Sequence, residues 1–218
     1  MGAYGKNLVL MAKPPLMGRV KTRLSRDIGT VGAAQFYRHA VERLLRRLQV
    51  PREWNLRLAV NARPEDSYQC WPRDVIRMPQ GGGSLGQRMG FVLDNLPPGP
   101  TVIIGTDSPQ IEPEHIREAF HALGRDDAVF GPSDDGGYWL IGLARRRPAP
   151  RLFEDVAWST DTALDDTIAS LPESFRISEM SELIDVDNRD DLEDLNAGWG
   201  PMRYGPWRPL PEQSDGAS

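Results

Sequence analysis

The sequence predicts an α/β protein, a three-layer α/β/α sandwich around a mostly parallel central sheet. Two observations carry this. Short apolar runs rich in β-branched residues alternate along the chain with stretches of helical periodicity, the pattern of strands joined by crossover helices. Nearly every apolar run also stops at glycine, proline or a charged residue, as buried strands do when they deliver the chain to a loop. With 218 residues, 39% hydrophobic, there is material for one core. We expect one domain over 1–197 and an irregular tail over 198–218, rich in Pro, Gly and Trp.

Asn7–Ala12 (NLVLMA) reads as a central first strand, ended by Pro14, Pro15 and Gly18. Val31–Gln49 is helical, because Tyr37, Val41, Leu44, Leu45 and Leu48 share one face and Pro51 follows. Asn55–Ala62 alternates as a second strand and Asp74–Met78 forms a third. The glycine-rich stretch Pro79–Gly86 then opens a helix over Gln87–Leu96. Thr101–Ile104 is a buried strand that delivers Asp107 through Gly105, and Glu112–Leu123 is an amphipathic helix. Asp127–Phe130 and Tyr138–Leu143 are strands flanking SDDGG, Thr160–Leu171 is helical, and Leu183–Val186 is a last strand before a short helix.

Composition narrows the function. The net charge of −5, from 26 basic and 31 acidic residues, gives no global field for nucleic acid or anionic membrane. A single cysteine, Cys70, forbids an internal disulfide or a cysteine zinc cluster. His39, His115 and His121 fall in helical patterns without metal-ligand spacing and read as structural or surface residues. With no long apolar span and no signal-peptide pattern, the expected location is cytoplasmic.

Three features suggest chemistry. The loop after the first strand gathers Lys13, Arg19, Lys21, Arg23 and Arg26 around Gly18 and Thr22; it suits a polyphosphate, or is a solvated basic face. The run Gly81–Gly86 satisfies G-x-G-x-x-G, which three consecutive glycines do cheaply. It is a dinucleotide loop, a plain turn, or a loop whose Gln80 and backbone amides, Gly83 among them, grip a base or ribose. Third, Asp107, the pair Asp134 and Asp135, and the pair Asp185 and Asp187 all stand at predicted strand ends. Divalent-metal chemistry needs oxygen ligands there, although Asp107 alone would equally cap the next helix.

The segments LVLMAKPPLMGRVKTRLS, PQGGGSLGQRM, VIIGTDSPQI, VFGPSDDGGYWLIGL, FEDVAWST and LIDVDNRDDLEDL, in this order, resemble a bacterial family of short GT-A-fold proteins. That family carries the label nucleotide-diphospho-sugar transferase or glycosyltransferase-like. The layout is more distantly similar to the guanylyltransferases of molybdenum-cofactor and phospholactate biosynthesis. The resemblance implies a GT-A-type sandwich with Lys13, Lys21 and Arg23 on the phosphate loop, and Gln80 and Gly86 on the nucleoside segment. It further implies Asp107 and Asp187 as metal ligands for Mg²⁺ or Mn²⁺. Asp135, Gly136, Gly137 and Tyr138 would line the acceptor side, with Trp158, Ser159 and Thr160 beside them. The chain departs from the pyrophosphorylase signature in its first loop, and has Thr-Asp-Ser where many glycosyltransferases have Asp-x-Asp.

Two enzyme readings compete. In nucleotidyl transfer, an NTP gives its nucleotidyl group to a phosphorylated small molecule, with Lys21 and Arg23 offsetting charge. In glycosyl transfer, an NDP-sugar is the donor and Asp135 acts as base. The first loop holds more cations than a diphosphate needs, which favours the first. A catalytically silent nucleotide binder and a hydride-transfer enzyme are minor alternatives, and a homodimer is left open.

Overall fold

The computed structural model describes residues 5–62, 70–146 and 152–199. Among these residues seven strands and five helices follow one another. They are β1 (Asn7–Ala12), α1 (Ser25–Leu48), β2 (Asn55–Val60), β3 (Ile76–Pro79), α2 (Leu85–Asp94), β4 (Thr101–Ile104) and α3 (Pro113–Ala122). There follow β5 (Ala128–Pro132), β6 (Tyr138–Leu143), α4 (Ala163–Ala169), β7 (Ile177–Glu179) and α5 (Arg189–Trp199). One sheet contains all seven strands in the order β3-β2-β1-β4-β6-β5-β7. Only β6 runs against its neighbours β4 and β5, so the sheet is mostly parallel, as expected.

β1 shows why the sandwich has three layers. Its side chains alternate between faces, and both faces are covered: Leu8, Leu10 and Ala12 join one core and Val9 joins the other. The first core packs the sheet against α1 and α3 through Val41, Leu44, Leu45, Ile116 and Phe120. The second packs it against α2 through Met89, Val92 and Leu93. Each fully buried Leu or Val contributes about 1.5–3 kcal/mol over its exposed state.

Helix α1 begins at Ser25 rather than Val31. Gly29 breaks the helical backbone inside it (φ 76°, ψ 158°), and Leu24, Ile28 and Ala33 form a small separate core on either side of the break. That break hides the earlier turn from any periodicity running through it.

The last strand is displaced. β7 is Ile177–Glu179, paired in parallel with β5, whereas Leu183–Val186 makes only an isolated bridge, Ser133 to Leu183. This strap finds its backbone partners in loops. Gln110 Nε2 donates to the Ile184 carbonyl at 2.8 Å, Val186 N donates to the Asp107 carbonyl at 3.1 Å, and Asp185 N donates to Asp134 Oδ1 at 3.0 Å. With those groups satisfied, a ladder is not required. The expected tail lies outside the described residues beyond 199.

The strand order reverses between β1 and β4, since the chain steps outward through β2 and β3 and then returns. In open α/β sheets, ligand crevices lie at the carboxyl ends of strands at such a switch point. The glycine-rich loop, by contrast, follows the edge strand β3.

Candidate active site

The loop after β1 closes back over the switch point. Lys13 N donates to Tyr37 Oη at 2.9 Å, and the same buried hydroxyl is hydrogen-bonded with Thr106 just beyond β4. Burial pushes the Tyr37 hydroxyl up to about 12, so it stays neutral and holds the loop to the strand end.

At the centre lies Lys21, whose backbone takes a positive φ (43°) and whose side chain is 4% exposed. Its Nζ sits 2.5 Å from Asp107 Oδ1, 3.3 Å from Asp185 Oδ1 and 3.2 Å from Asp187 Oδ1. Arg23 Nη1 adds a bond to the other oxygen of Asp187 at 2.8 Å. Burial alone would lower the Lys21 pKa, but the charges of Asp107, Asp185 and Asp187 outweigh it and hold the ammonium above its ordinary value. Asp185 moves the other way. Burial, with the like charges of Asp107 and Asp187, pushes it up to about 7 in spite of Lys21. The site therefore carries a surplus of negative charge over the one buried cation.

Asp107 and Asp187 thus face one crevice, although they come from different ends of the fold. Asp107 does not cap α3: Glu112 occupies that N-cap position. Asp185, a strand-end metal-ligand candidate in the sequence that the family resemblance does not single out, is part of the same cluster. The signal for it is the alternation Asp185-Val186-Asp187, in which Val186 is wholly buried and the carboxylates turn outward together.

Among the described residues, no group of three or more His, Cys, Asp or Glu side chains is arranged to hold a metal ion. Lys21 Nζ stands between the carboxylates instead. Their chemistry nonetheless fits a hard divalent cation: oxygen donors, surplus negative charge, and Asp107 half exposed to the crevice. Mg²⁺ ordinarily takes one or two carboxylates and completes its sphere with substrate phosphates and water.

The crevice is a cleft of about 780 Å³. Lys13, Arg19, Lys21 and Arg23 line it with Asp107, Asp185 and Asp187, and Asp135, Tyr138, Trp158, Ser159 and Thr160 line it as well. Burial raises the Tyr138 hydroxyl far above its ordinary value, and Thr167 Oγ1 donates to it at 3.4 Å. Asp135 Oδ1 accepts from Ser133 Oγ at 2.6 Å and from Gly137 N at 2.9 Å, so that oxygen is committed to its own turn.

Several expected contact residues do other work. Gln80 is 2% exposed; its Nε2 donates to the carbonyls of Ala12 (3.0 Å) and Ala59 (2.8 Å), which ties β1 to β2. Gln80 also lines the cleft, so its side chain both ties the strands and borders the site. Gly86 is buried where a Cβ would lie 2.6 Å from Phe153 Cβ and 2.8 Å from Trp158 Cζ2. Gly83 (φ 88°) makes room for Gln87, whose Oε1 accepts from Ser84 N at 2.9 Å in the capping box that starts α2. Gly18 (φ 72°) turns the first loop, and a Cβ at Gly136 would strike the backbone of Asp161. Gly18, Gly83, Gly86, Gly136 and Gly137 do not line the cleft. Arg145 and Arg146 do not line it either: Arg145 Nη1 donates to the Pro97 carbonyl, and Arg146 to that of Leu123. His115 is structural, its Nδ1 accepting from Glu112 N at 3.0 Å and its ring lying 5.7 Å from that of Trp139. No helix among the described residues is long and apolar enough to cross a membrane.

The fold is that of nucleotide-diphospho-sugar transferases. The chain is similar to a candidate nucleotide-diphospho-sugar transferase from Desulfovibrio desulfuricans G20, at 25% identity and a TM-score of 0.79, over 91% of this chain and 89% of that one. It shares its fold with 4-diphosphocytidyl-2C-methyl-D-erythritol synthase from Anaerococcus prevotii DSM 20548 (12% identity, TM-score 0.57, 89% and 99% covered). A further structure with this fold is Rv0371c from Mycobacterium tuberculosis H37Rv in complex with manganese (18% identity, TM-score 0.52, 88% and 98% covered). No curated protein matches the sequence. A bacterial family described as "uncharacterized protein conserved in bacteria (DUF2064)" matches residues 44–160, more than half of the chain, and to that family the chain belongs.

Proposed function

We propose that the protein is a divalent-metal-dependent transferase that moves a nucleotidyl group from an NTP to a phosphorylated small molecule. An acceptor oxygen attacks the α-phosphorus, the new P–O bond forms as the bond to the leaving group breaks, and pyrophosphate departs. No protein nucleophile is needed. The observation that carries this reading is the charge arrangement at the switch point: the cations of the first loop, Lys13, Arg19, Lys21 and Arg23, line one cleft with the clustered carboxylates of Asp107, Asp185 and Asp187. Carboxylates able to take a divalent cation, set beside ammonium and guanidinium groups able to meet phosphate oxygens, suit the developing charge of a triphosphate reaction.

Asp107 and Asp187 would hold Mg²⁺ or Mn²⁺, which offsets phosphate charge and orients the leaving group. Arg23, exposed at the rim, reaches outward to phosphate oxygens while still anchored on Asp187. Lys21, whose three Nζ protons face Asp107, Asp185 and Asp187, fixes the orientation of those carboxylates and offsets part of their charge. Tyr138, Trp158, Ser159 and Thr160, with Asp135, form the wall that would receive the acceptor.

The description of the Desulfovibrio protein supports a second reading, glycosyl transfer from an NDP-sugar with Asp135 as base. The released product decides. Incubating the protein with each NTP, Mg²⁺ or Mn²⁺ and pools of phosphorylated metabolites should yield pyrophosphate, and Asp107→Asn should abolish it. Nucleoside diphosphate released from NDP-sugars, with no pyrophosphate from any NTP, would replace the first reading by the second.

A further inference from the structure

Given a nucleotide in this cleft, the structure offers a reader for its base. We propose that Arg88 selects a base presenting two adjacent hydrogen-bond acceptors, and that buried Gln80 positions it. The inference rests on the nucleotide reading above and adds to it which bases are accepted.

Gln80 spends both of its Nε2 protons on the Ala12 and Ala59 carbonyls, so its side-chain orientation is determined. Its Oε1 then accepts from Arg88 Nη1 at 3.2 Å, and Arg88 Nε donates to the Ser84 carbonyl at 3.4 Å. These two acceptors hold one guanidinium on the first turn of α2. They leave the second Nη1 proton and both Nη2 protons for a ligand. No carboxylate pairs with Arg88 among the described residues, and burial alone pulls its pKa below the ordinary value. A half-buried guanidinium without an acid partner is short of acceptors.

The surroundings set the orientation of the nucleotide. Gln80 bonds to the ends of β1 and β2, whereas the charged cluster lies toward β4 and the strap, so the two occupy different parts of the cleft. Leu85 and Met89, its neighbours on α2, and Met11 of β1 add apolar surface to the cleft lining. Phosphates belong with the charges, which leaves the part beside Gln80 and Arg88 for the flat heterocycle. A guanidinium is a donor-only planar fork. Guanine offers it N7 and O6, and cytosine offers O2 and N3. Adenine sets an amino donor beside its ring acceptors, and uracil sets N3–H between its carbonyls. Selection for guanine or cytosine follows from the same geometry.

The test is equilibrium binding of GTP, CTP, ATP and UTP to the full chain with Mg²⁺, with inorganic tripolyphosphate as a base-free probe. The wild type should bind GTP or CTP roughly tenfold or more tighter than ATP and UTP, and the two arms identify which. Arg88→Met should bring the four affinities together and leave tripolyphosphate binding unchanged, which also shows the variant is folded. Arg88→Lys, which keeps the charge but loses the fork, should also narrow the ratio. Gln80→Met should narrow it with tripolyphosphate binding intact. A wild type that prefers ATP, binds all four alike, or keeps its preference in Arg88→Met overturns the proposal and leaves nucleotide binding standing. Failure of every NTP to bind overturns the nucleotide reading and the proposal together.

Discussion

Replacing Lys21 by Met keeps an unbranched stem of similar length and removes the one cation buried among Asp107, Asp185 and Asp187. Removing one partner of a buried ion pair costs about 3–5 kcal/mol, because the other charge is left without compensation. Here the remaining side chains keep 50%, 19% and 33% of their exposure, so water takes up part of the charge and the lower end applies, about 3 kcal/mol at pH 8. Lowering the pH to 5 protonates Asp185, whose pKa is already about 7, and removes one of the three like charges. The cost there should fall to about half. A divalent cation can take the place of the ammonium, and at a hundredfold excess over its Kd it restores about 2.7 kcal/mol. In the wild type the same cation must first displace Lys21, so Mn²⁺ stabilises it less. Urea unfolding at pH 8 and pH 5 in EDTA, then with Mn²⁺, measures all four quantities. A variant as stable as the wild type in EDTA at pH 8, or one that gains nothing from Mn²⁺, would refute the account of this site.

Asp185→Asn tests the surplus charge from the other side. The folded chain keeps a proton on Asp185 between about pH 4 and pH 7 that the unfolded chain has released, so this residue's contribution to wild-type stability declines as pH rises through that window. The variant should therefore gain on the wild type between pH 5 and pH 8, by at most about 3 kcal/mol; a difference that stays flat in urea unfolding contradicts the pKa. Gly86→Ala should lower the melting temperature through a loss of about 1–3 kcal/mol, because its Cβ meets Phe153 and Trp158 within 3 Å; an unchanged melt means that packing is looser than described. Tyr37→Phe removes the acceptor for the Lys13 amide and should cost about 1–2 kcal/mol. Hydrogen exchange at that amide should accelerate, and unaltered protection would detach Tyr37 from the loop.

Local chemistry determined the layered architecture. Asn7–Ala12, Thr101–Ile104 and Tyr138–Leu143 are legible because apolar runs bounded by breakers have few other uses in a chain of this composition. The cations of the first loop and the acids at strand ends were legible for the same reason, as residue types placed where loops begin. Three-residue β7 was not. Its half-exposed Ile-Ser-Glu has no pattern of its own, and only pairing with β5 makes it a strand. Leu183–Val186 has the pattern, yet loop partners at Asp107, Gln110 and Asp134 satisfy its backbone without a ladder.

The sequence by itself settled which groups could meet at the end of the sheet, since strand ends, glycines and charges are encoded residue by residue. Tertiary structure decided which of them do. It set Lys21 among Asp107, Asp185 and Asp187 and gave Gln80 to two carbonyls. It turned the Gln80 oxygen to Arg88, because partners brought together from distant strands decide how each buried polar group is satisfied.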